Sequence, residues 1–311
     1  MQLYEVYVMR IILVGQGPFG EKVLDTLIQQ GENIIAVFCP EDRRGEAMAT
    51  TAENSGVALF RPNKMKDAEV REAYLDLGPD LVILAFVTDI IPEALLDIPP
   101  VGTICYHPSL LPKHRGANGI NWAVIQGDTQ TGLTILWVDK GIDTGPILLQ
   151  KEVEILPDDT TGSLYFNHLF EMGIDAILEA VALIKSGQAP KIPQDDSVAT
   201  YEPPCDDKVA AVDWSKPAAD VYNLVRGCDP QPGAYATIKG SKVRFYKARL
   251  IGPKPDKAPG EIVDIKEGEI VVALTGGALG IGKVRDAAGA KMDADEFARN
   301  ADLQAGMKFE T

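Results

Sequence analysis

The sequence predicts an α/β domain on a doubly wound parallel sheet, followed by a smaller β-barrel domain. Three observations lead there. Over the first 190 residues, short apolar runs alternate with helical patterns, as in chained β-α-β units. Several of those runs, Leu81 to Phe86 above all, are apolar without interruption, as strands buried on both faces are. Beyond residue 205 the texture changes to short strands separated by glycines.

Taken in order, Ile11 to Gly15 reads as a buried strand and Pro18 to Gln30 as the helix after it. Ile34 to Cys39 is a second strand and Lys66 to Leu77 is helical. Gly102 to Tyr106 and Thr134 to Val138 are further strands. Thr160 to Ser186 reads as one long helix, because Leu164, Leu169, Ile174, Ile177, Val181 and Ile184 recur at helical spacing. Gly187 follows it, where a left-handed cap is common. Residues 191–205 hold Pro193, Pro203 and Pro204 and read as a linker between domains at 1–190 and 206–311. In the second domain, Pro217 to Arg226 is a helix. Tyr235 to Ile238 and Lys242 to Ala248 form a hairpin across Lys239-Gly240-Ser241. Glu261 to Ile265, Ile270 to Leu274 and Leu279 to Val284 complete a small barrel.

The bulk properties narrow the function classes. A length of 311 residues suits two domains. No apolar run approaches the ~20 residues needed to span a bilayer, and Met1 to Arg10 lacks the pattern of a signal peptide. Cys39, Cys105, Cys205 and Cys228 include no CxxC pair, which argues against a disulfide scaffold or a zinc site. A cytoplasmic, metal-free protein is expected. The net charge is −15, yet residues 206–311 balance 16 acidic against 16 basic side chains. The excess acid therefore lies in residues 1–205, which speaks against a nucleic-acid partner.

Three segments carry possible chemistry. Gly15-Gln16-Gly17-Pro18-Phe19-Gly20 fits GxGxxG between a strand and a helix, the Rossmann-like position for dinucleotide phosphate. The same glycines would serve a tight strand-to-helix turn, and the second strand ends Phe38-Cys39-Pro40 without the ribose-binding acid. His107 emerges at the end of a strand, where ligands of open α/β sheets bind, with Pro108 and Pro112 stiffening the turn. Asp143 lies in Asp139-Lys140-Gly141-Ile142-Asp143-Thr144-Gly145, after the strand ending at Val138. In a parallel sheet both loops leave the same edge, so Asp143 is expected to meet His107 and fix its tautomer. Taken singly, His107 also fits a surface histidine and Asp143 a turn residue.

The stretches HPSLLPKHRGANGINW, Gly141 to Gly145, Leu156-Pro157-Asp158-Asp159-Thr160, Asp213-Trp214-Ser215-Lys216-Pro217-Ala218 and Pro232-Gly233-Ala234-Tyr235 resemble the 10-formyltetrahydrofolate-dependent formyltransferase and hydrolase family. The resemblance covers nearly the whole chain. It implies a Rossmann-like catalytic domain, an OB-like barrel, and a catalytic set of Asn-x-His plus Asp. His107 and Asp143 match; Cys105 stands where the Asn is usual. In this respect the segment is most similar to the amino-terminal hydrolase domain of 10-formyltetrahydrofolate dehydrogenase, which also lacks the Asn. The resemblance places folate against Phe86, Val87, Thr88, Asp89 and Ile90, and against Asp139, Lys140, Gly141 and Ile142.

The activity so implied is removal of formyl from 10-formyltetrahydrofolate, to water or to a small amine. Methionyl-tRNA formyltransferase shares the two-domain layout, but its basic loop after the second strand is here the short, mixed Asp42-Arg43-Arg44-Gly45-Glu46, so tRNA is a disfavoured partner. A sugar-nucleotide amine is another possible acceptor. On GxGxxG alone, a nicotinamide-dependent oxidoreductase is the reading from a different class. Cys105 fits a small buried hydrophobe, a weak hydrogen-bond donor, or a nucleophile carrying a formyl thioester.

Overall fold

The computed structural model describes residues 8–253 and 255–310. Along the chain come β1 (Ile11–Gly15), α1 (Gly17–Gln29), β2 (Ile34–Phe38), α2 (Glu46–Asn54), β3 (Ala58–Phe60), α3 (Ala68–Leu77), β4 (Leu81–Ala85), α4 (Glu93–Leu96) and β5 (Gly102–His107). They are followed by β6 (Arg115–Gly116), α5 (Gly119–Ile125), β7 (Gln130–Trp137), β8 (Ile147–Glu154), α6 (Thr161–Leu164) and α7 (Phe170–Lys185). The remainder is β9 (Tyr201–Glu202), α8 (Ala218–Gly227), β10 (Tyr235–Ile238), β11 (Ser241–Ile251), β12 (Ile262–Lys266), β13 (Glu269–Leu274), β14 (Gly277–Arg285), β15 (Lys291–Asp293) and α9 (Ala294–Asn300).

Two compact units result, and the chain passes between them more than once. Of the described residues, the first holds those up to 115, 132–152 and 169–201; the second holds 116–131, 153–168 and those from 202 onward. Among the described residues no helix is long and apolar enough to cross a membrane.

The first unit is built on a seven-stranded sheet in the order β3-β2-β1-β4-β5-β7-β8. Strands β1 and β4 are buried at every residue, which explains their unbroken apolar sequence. Ile12, Val14, Phe38, Val82 and Leu84 form one face of the core with Tyr74 and Val70 of α3. On α1, Phe19, Val23, Leu24 and Leu27 recur at helical spacing and are buried. Gly173 of α7 lets the helix pack closely: a Cβ there would lie 2.6 Å from the Tyr106 ring and 2.9 Å from Phe19.

Two expectations need correction. The parallel order ends at β5, because β7 pairs with it antiparallel, His107 opposite Thr134 and Ile104 opposite Trp137. The single long helix is interrupted: a π-helical turn at Tyr165–Leu169 separates α6 from α7. Apolar spacing survives a one-residue widening of one turn, so periodicity does not reveal it.

The second unit is a barrel of antiparallel strands in the order β10-β11-β14-β13-β12, with β15 beside β14. Residues 307–310 close it. Phe309 N–H donates to the Gly260 carbonyl on one side, and Thr237 and Glu310 exchange backbone bonds on the other. Phe309 is fully buried against Trp214 and Phe245, so removing its ring would cost about 3–5 kcal/mol. The hairpin between β10 and β11 turns at Lys239 and Gly240, both at positive φ, as a two-residue turn requires.

Candidate active site

β5 presents Cys105 and His107 two residues apart, and so on one face of the sheet. The His107 ring is buried, and its Nε2 lies 2.8 Å from the carbonyl oxygen of His114. A carbonyl only accepts, so Nε2 carries a proton. Nδ1 is then the nitrogen that faces Asp143, whose Oδ2 is 3.6 Å away. That is ion-pair range and too long for a direct hydrogen bond.

The loop after β5 is pinned from several sides. Thr134, fully buried on β7, donates its hydroxyl to the Ser109 carbonyl at 2.7 Å and accepts from Leu111 N–H at 3.2 Å. Ser109 Oγ donates to the Lys113 carbonyl at 2.8 Å. His114 then turns through φ 56°, which aims its carbonyl at His107.

Asp143 arrives by a route the sequence did not suggest. Because β7 runs opposite to β5, the chain leaves it level with Ile104, three residues from His107. The expectation that both loops leave the same edge is therefore incorrect; the Asp143 loop doubles back. Asp139 Oδ1 braces the turn, accepting from Gly141 N–H at 3.0 Å and Thr144 Oγ1 at 2.6 Å. Asp143 itself sits at φ 55°, uncommon for a residue with a side chain.

Cys105 is half-buried, and its thiol points at the Tyr106 carbonyl, 3.5 Å away. Desolvation, and then the nearby Asp143 carboxylate, push its pKa far above the usual thiol range. A thiolate nucleophile needs the opposite shift.

The remaining sequence-predicted residues fall in separate places. Phe86, at φ 61°, and Ile90 are 44% and 75% exposed, so these two side chains of the turn after β4 leave apolar surface open, while Val87 and Ile91 pack against the core. Val87, Thr88 and Asp89 line a cleft of ≈ 120 Å³ with Gln16, Arg44 and Lys64. Asp139 and Lys140 line another, of ≈ 320 Å³, with Glu93 and Asp97. Gly141 and Ile142 are exposed on the Asp143 loop. Neither cleft is lined by His107.

The glycines of GxGxxG are accounted for by packing at Gly15 and Gly20 and by a positive φ of 65° at Gly17. A Cβ on Gly20 would lie 2.6 Å from Met48 Sδ and 3.2 Å from the Ala85 carbonyl. Gly17 N–H is already bonded to the Arg44 carbonyl at 2.7 Å, and Pro18 has no N–H to offer a phosphate. Among the described residues no group of three or more His, Cys, Asp or Glu could hold a metal ion.

Sequence reasoning missed three residues at the site: Arg115, Gln194 and Thr200. Gln194 donates to the Asp143 and Gly145 carbonyls, and Thr200 accepts from His114 N–H. Arg115 lay within a quoted motif without a role. Gln194 and Thr200 sat in the proline-rich stretch, where no local pattern marks a long-range contact.

The family model for formyl transferase matches residues 9–181, and that for the formyl transferase C-terminal domain matches residues 206–302. The chain is 37% identical over 313 residues to the cytosolic 10-formyltetrahydrofolate dehydrogenase of Xenopus tropicalis, covering 96% of this chain and 35% of that protein. It thus spans about a third of that relative's length. It is 36% identical over 311 residues to the methionyl-tRNA formyltransferase of Ruminiclostridium cellulolyticum, covering 97% of this chain and 99% of that protein. The solved structure of HypX from Aquifex aeolicus in complex with tetrahydrofolic acid has the same fold: the TM-score is 0.70 at 20% identity, covering 98% of this chain and 51% of that one. With both domains matched and the His107–Asp143 pair at the end of β5, the chain belongs to the formyl transferase family.

Proposed function

We propose that this protein removes the formyl group from 10-formyltetrahydrofolate, with water as the acceptor and His107 and Asp143 as the reacting residues. The carrying observation is the buried His107 ring, fixed by His114 with Nδ1 turned to Asp143. Asp143 takes a proton from water as its oxygen attacks the formyl carbon. A proton on His107 Nδ1 steadies the oxyanion and then passes to the leaving folate nitrogen as the C–N bond breaks. Formate and tetrahydrofolate leave, and the proton taken by Asp143 returns the pair to its starting state. A small amine in place of water gives transfer by the same steps.

We assign the flat pterin to the turns at Phe86–Ile90 and Asp139–Ile142, where Phe86, Ile90 and Ile142 leave apolar surface open. Cys105 stands where the family resemblance implies a carboxamide, and its thiol is only a weak donor. Four thiols with no disulfide suit a reducing compartment such as the cytoplasm.

Formylation of methionyl-tRNA is the second reading, favoured by the relative matched along nearly its full length. Charge weighs against it. On the barrel, Lys242 and Arg244 are paired with Asp207, Arg249 and Lys266 with Glu269, and Lys283 with Asp293. Incubation with 10-formyltetrahydrofolate alone is the deciding experiment. Formate and tetrahydrofolate released in equal amounts support hydrolysis; consumption only after an amine or methionyl-tRNA is added overturns it.

A further inference from the structure

Residues 190–201, which overlap the stretch 191–205 read as a linker, lie along the first unit as a strap. Ile147 and Ile192 exchange backbone hydrogen bonds at 2.8 and 3.0 Å, and Trp137 Nε1 donates to the Pro190 carbonyl at 2.8 Å. The Gln194 carboxamide comes next, and all of its hydrogen-bonding capacity is used. Nε2 donates to the Asp143 and Gly145 carbonyls, each at 2.7 Å. Oε1 accepts from Arg115 Nε at 3.1 Å and Nη2 at 2.9 Å.

Arg115 is 2% exposed, so its charge needs those partners. It also donates to Asp196 Oδ1 at 2.7 Å and to the Tyr201 hydroxyl at 3.2 Å. It directly follows His114, whose carbonyl holds the His107 ring and whose N–H is fixed on Thr200 Oγ1 at 2.8 Å. One side-chain amide therefore ties the loop bearing Asp143 to the segment that fixes His107.

The tie answers a physical need. Asp143 lies on a loop that doubles back from an antiparallel strand, so no sheet register places it opposite His107. Its positive φ must be enforced by its surroundings. We propose that Gln194 is a positioning residue, which through its bridge to Arg115 sets Asp143 against His107. The inference rests on the reading of these two as the reacting pair.

Two substitutions separate the halves of the bridge. Gln194→Met keeps the volume and removes both. Gln194→Glu keeps an acceptor for Arg115 and removes the N–H donors to Asp143 and Gly145. Both are expected to lower kcat for formate release by ~10- to 10²-fold, the scale of a 1 Å misplacement, with KM for 10-formyltetrahydrofolate changed less than ~3-fold. Asp196→Ala, which removes a different Arg115 partner, keeps near-normal kcat. A merely structural role would lower the melting temperature of all three and leave kcat per folded molecule alone.

The ring itself provides a readout independent of turnover. With three histidines in the chain, ¹⁵N signals of His107 are assignable by comparison with His107→Ala. The Nδ1 signal is expected to move in Gln194→Met and Gln194→Glu and to stay in Asp196→Ala. A wild-type chain that leaves 10-formyltetrahydrofolate untouched refutes the proposed function, whereas a displaced Nδ1 signal still upholds the positioning. An unmoved Nδ1 signal together with wild-type kcat in the Gln194 variants overturns it. Should Gln194→Met fail to fold, Gln194→Glu carries the same measurements.

Discussion

The carbonyl of His114 accepts a 2.8 Å hydrogen bond from His107 Nε2, and that one bond decides which ring nitrogen is left to face Asp143. With Nε2 protonated, a neutral ring has a bare Nδ1 toward the Asp143 carboxylate, 3.6 Å away. Nδ1 and the carboxylate thus face one another across a gap too long for a direct hydrogen bond.

Removing either member should disable the proposed proton transfers. His107→Ala and Asp143→Asn are each expected to lower formyl release by ~10²-fold or more with the fold retained. Turnover and circular dichroism of the purified variants check this. Near-normal turnover in either one would remove the residue from the proposed mechanism.

Cys105→Ala is expected to keep turnover within a few-fold of wild type. Desolvation and the Asp143 carboxylate hold the thiol protonated, and its hydrogen points to the Tyr106 carbonyl rather than into the reaction. A dead Cys105→Ala enzyme would revive the formyl thioester. Cys105→Asn supplies the carboxamide that the family resemblance implies and should raise turnover, by up to the ~10²-fold that one oxyanion donor contributes. An unchanged rate in Cys105→Asn rules out that account of the position.

How much of this was legible in the sequence varies with how local the information is. The apolar runs of β1 and β4 and the Lys239-Gly240 hairpin announce themselves, because burial and turn chemistry act on neighbouring residues. His107 and Asp143 were legible through the motifs that carry them. The direction of β7 was not: a buried strand is apolar in either sense, and nothing in Gln130–Trp137 records which way it runs. Gln194 was equally silent, since its four hydrogen bonds reach three residues that lie 49 to 79 positions away.

Binding of transfer RNA is expected to be weak and to vanish at moderate salt. Phosphate contacts need unpaired cations. Arg44, in the loop after β2, is spent on a two-pronged pair with Asp42, Nε at 3.0 Å and Nη2 at 2.8 Å. Filter binding across a salt series measures this. Tight binding with a steep salt slope, accompanied by formylation of methionyl-tRNA, would make the second reading the correct one.

Gly145→Ala tests the doubled-back loop at its tightest point. A Cβ at Gly145 would collide with the Trp137 carbonyl and sit 3.3 Å from Asp139 N–H, both backbone atoms that cannot rotate aside. The Trp137 backbone has nowhere to retreat, being paired with β5 on one side and bonded to the Pro146 carbonyl on the other. The loop must therefore give way, and Asp143 moves with it, two residues from the clash. A shift of about 1 Å at a reacting group is worth up to ~10²-fold in rate, so Gly145→Ala should lose turnover on that scale while the rest of the sheet remains folded. The Gln194 donors to Asp143 and Gly145 would be misaligned in the same step. Combining Gly145→Ala with Gln194→Met should then cost little more than either change alone, because both act by releasing the same carboxylate. Fully additive losses would show that the glycine and the amide act on separate features, and the doubled-back loop would lose its place in the mechanism.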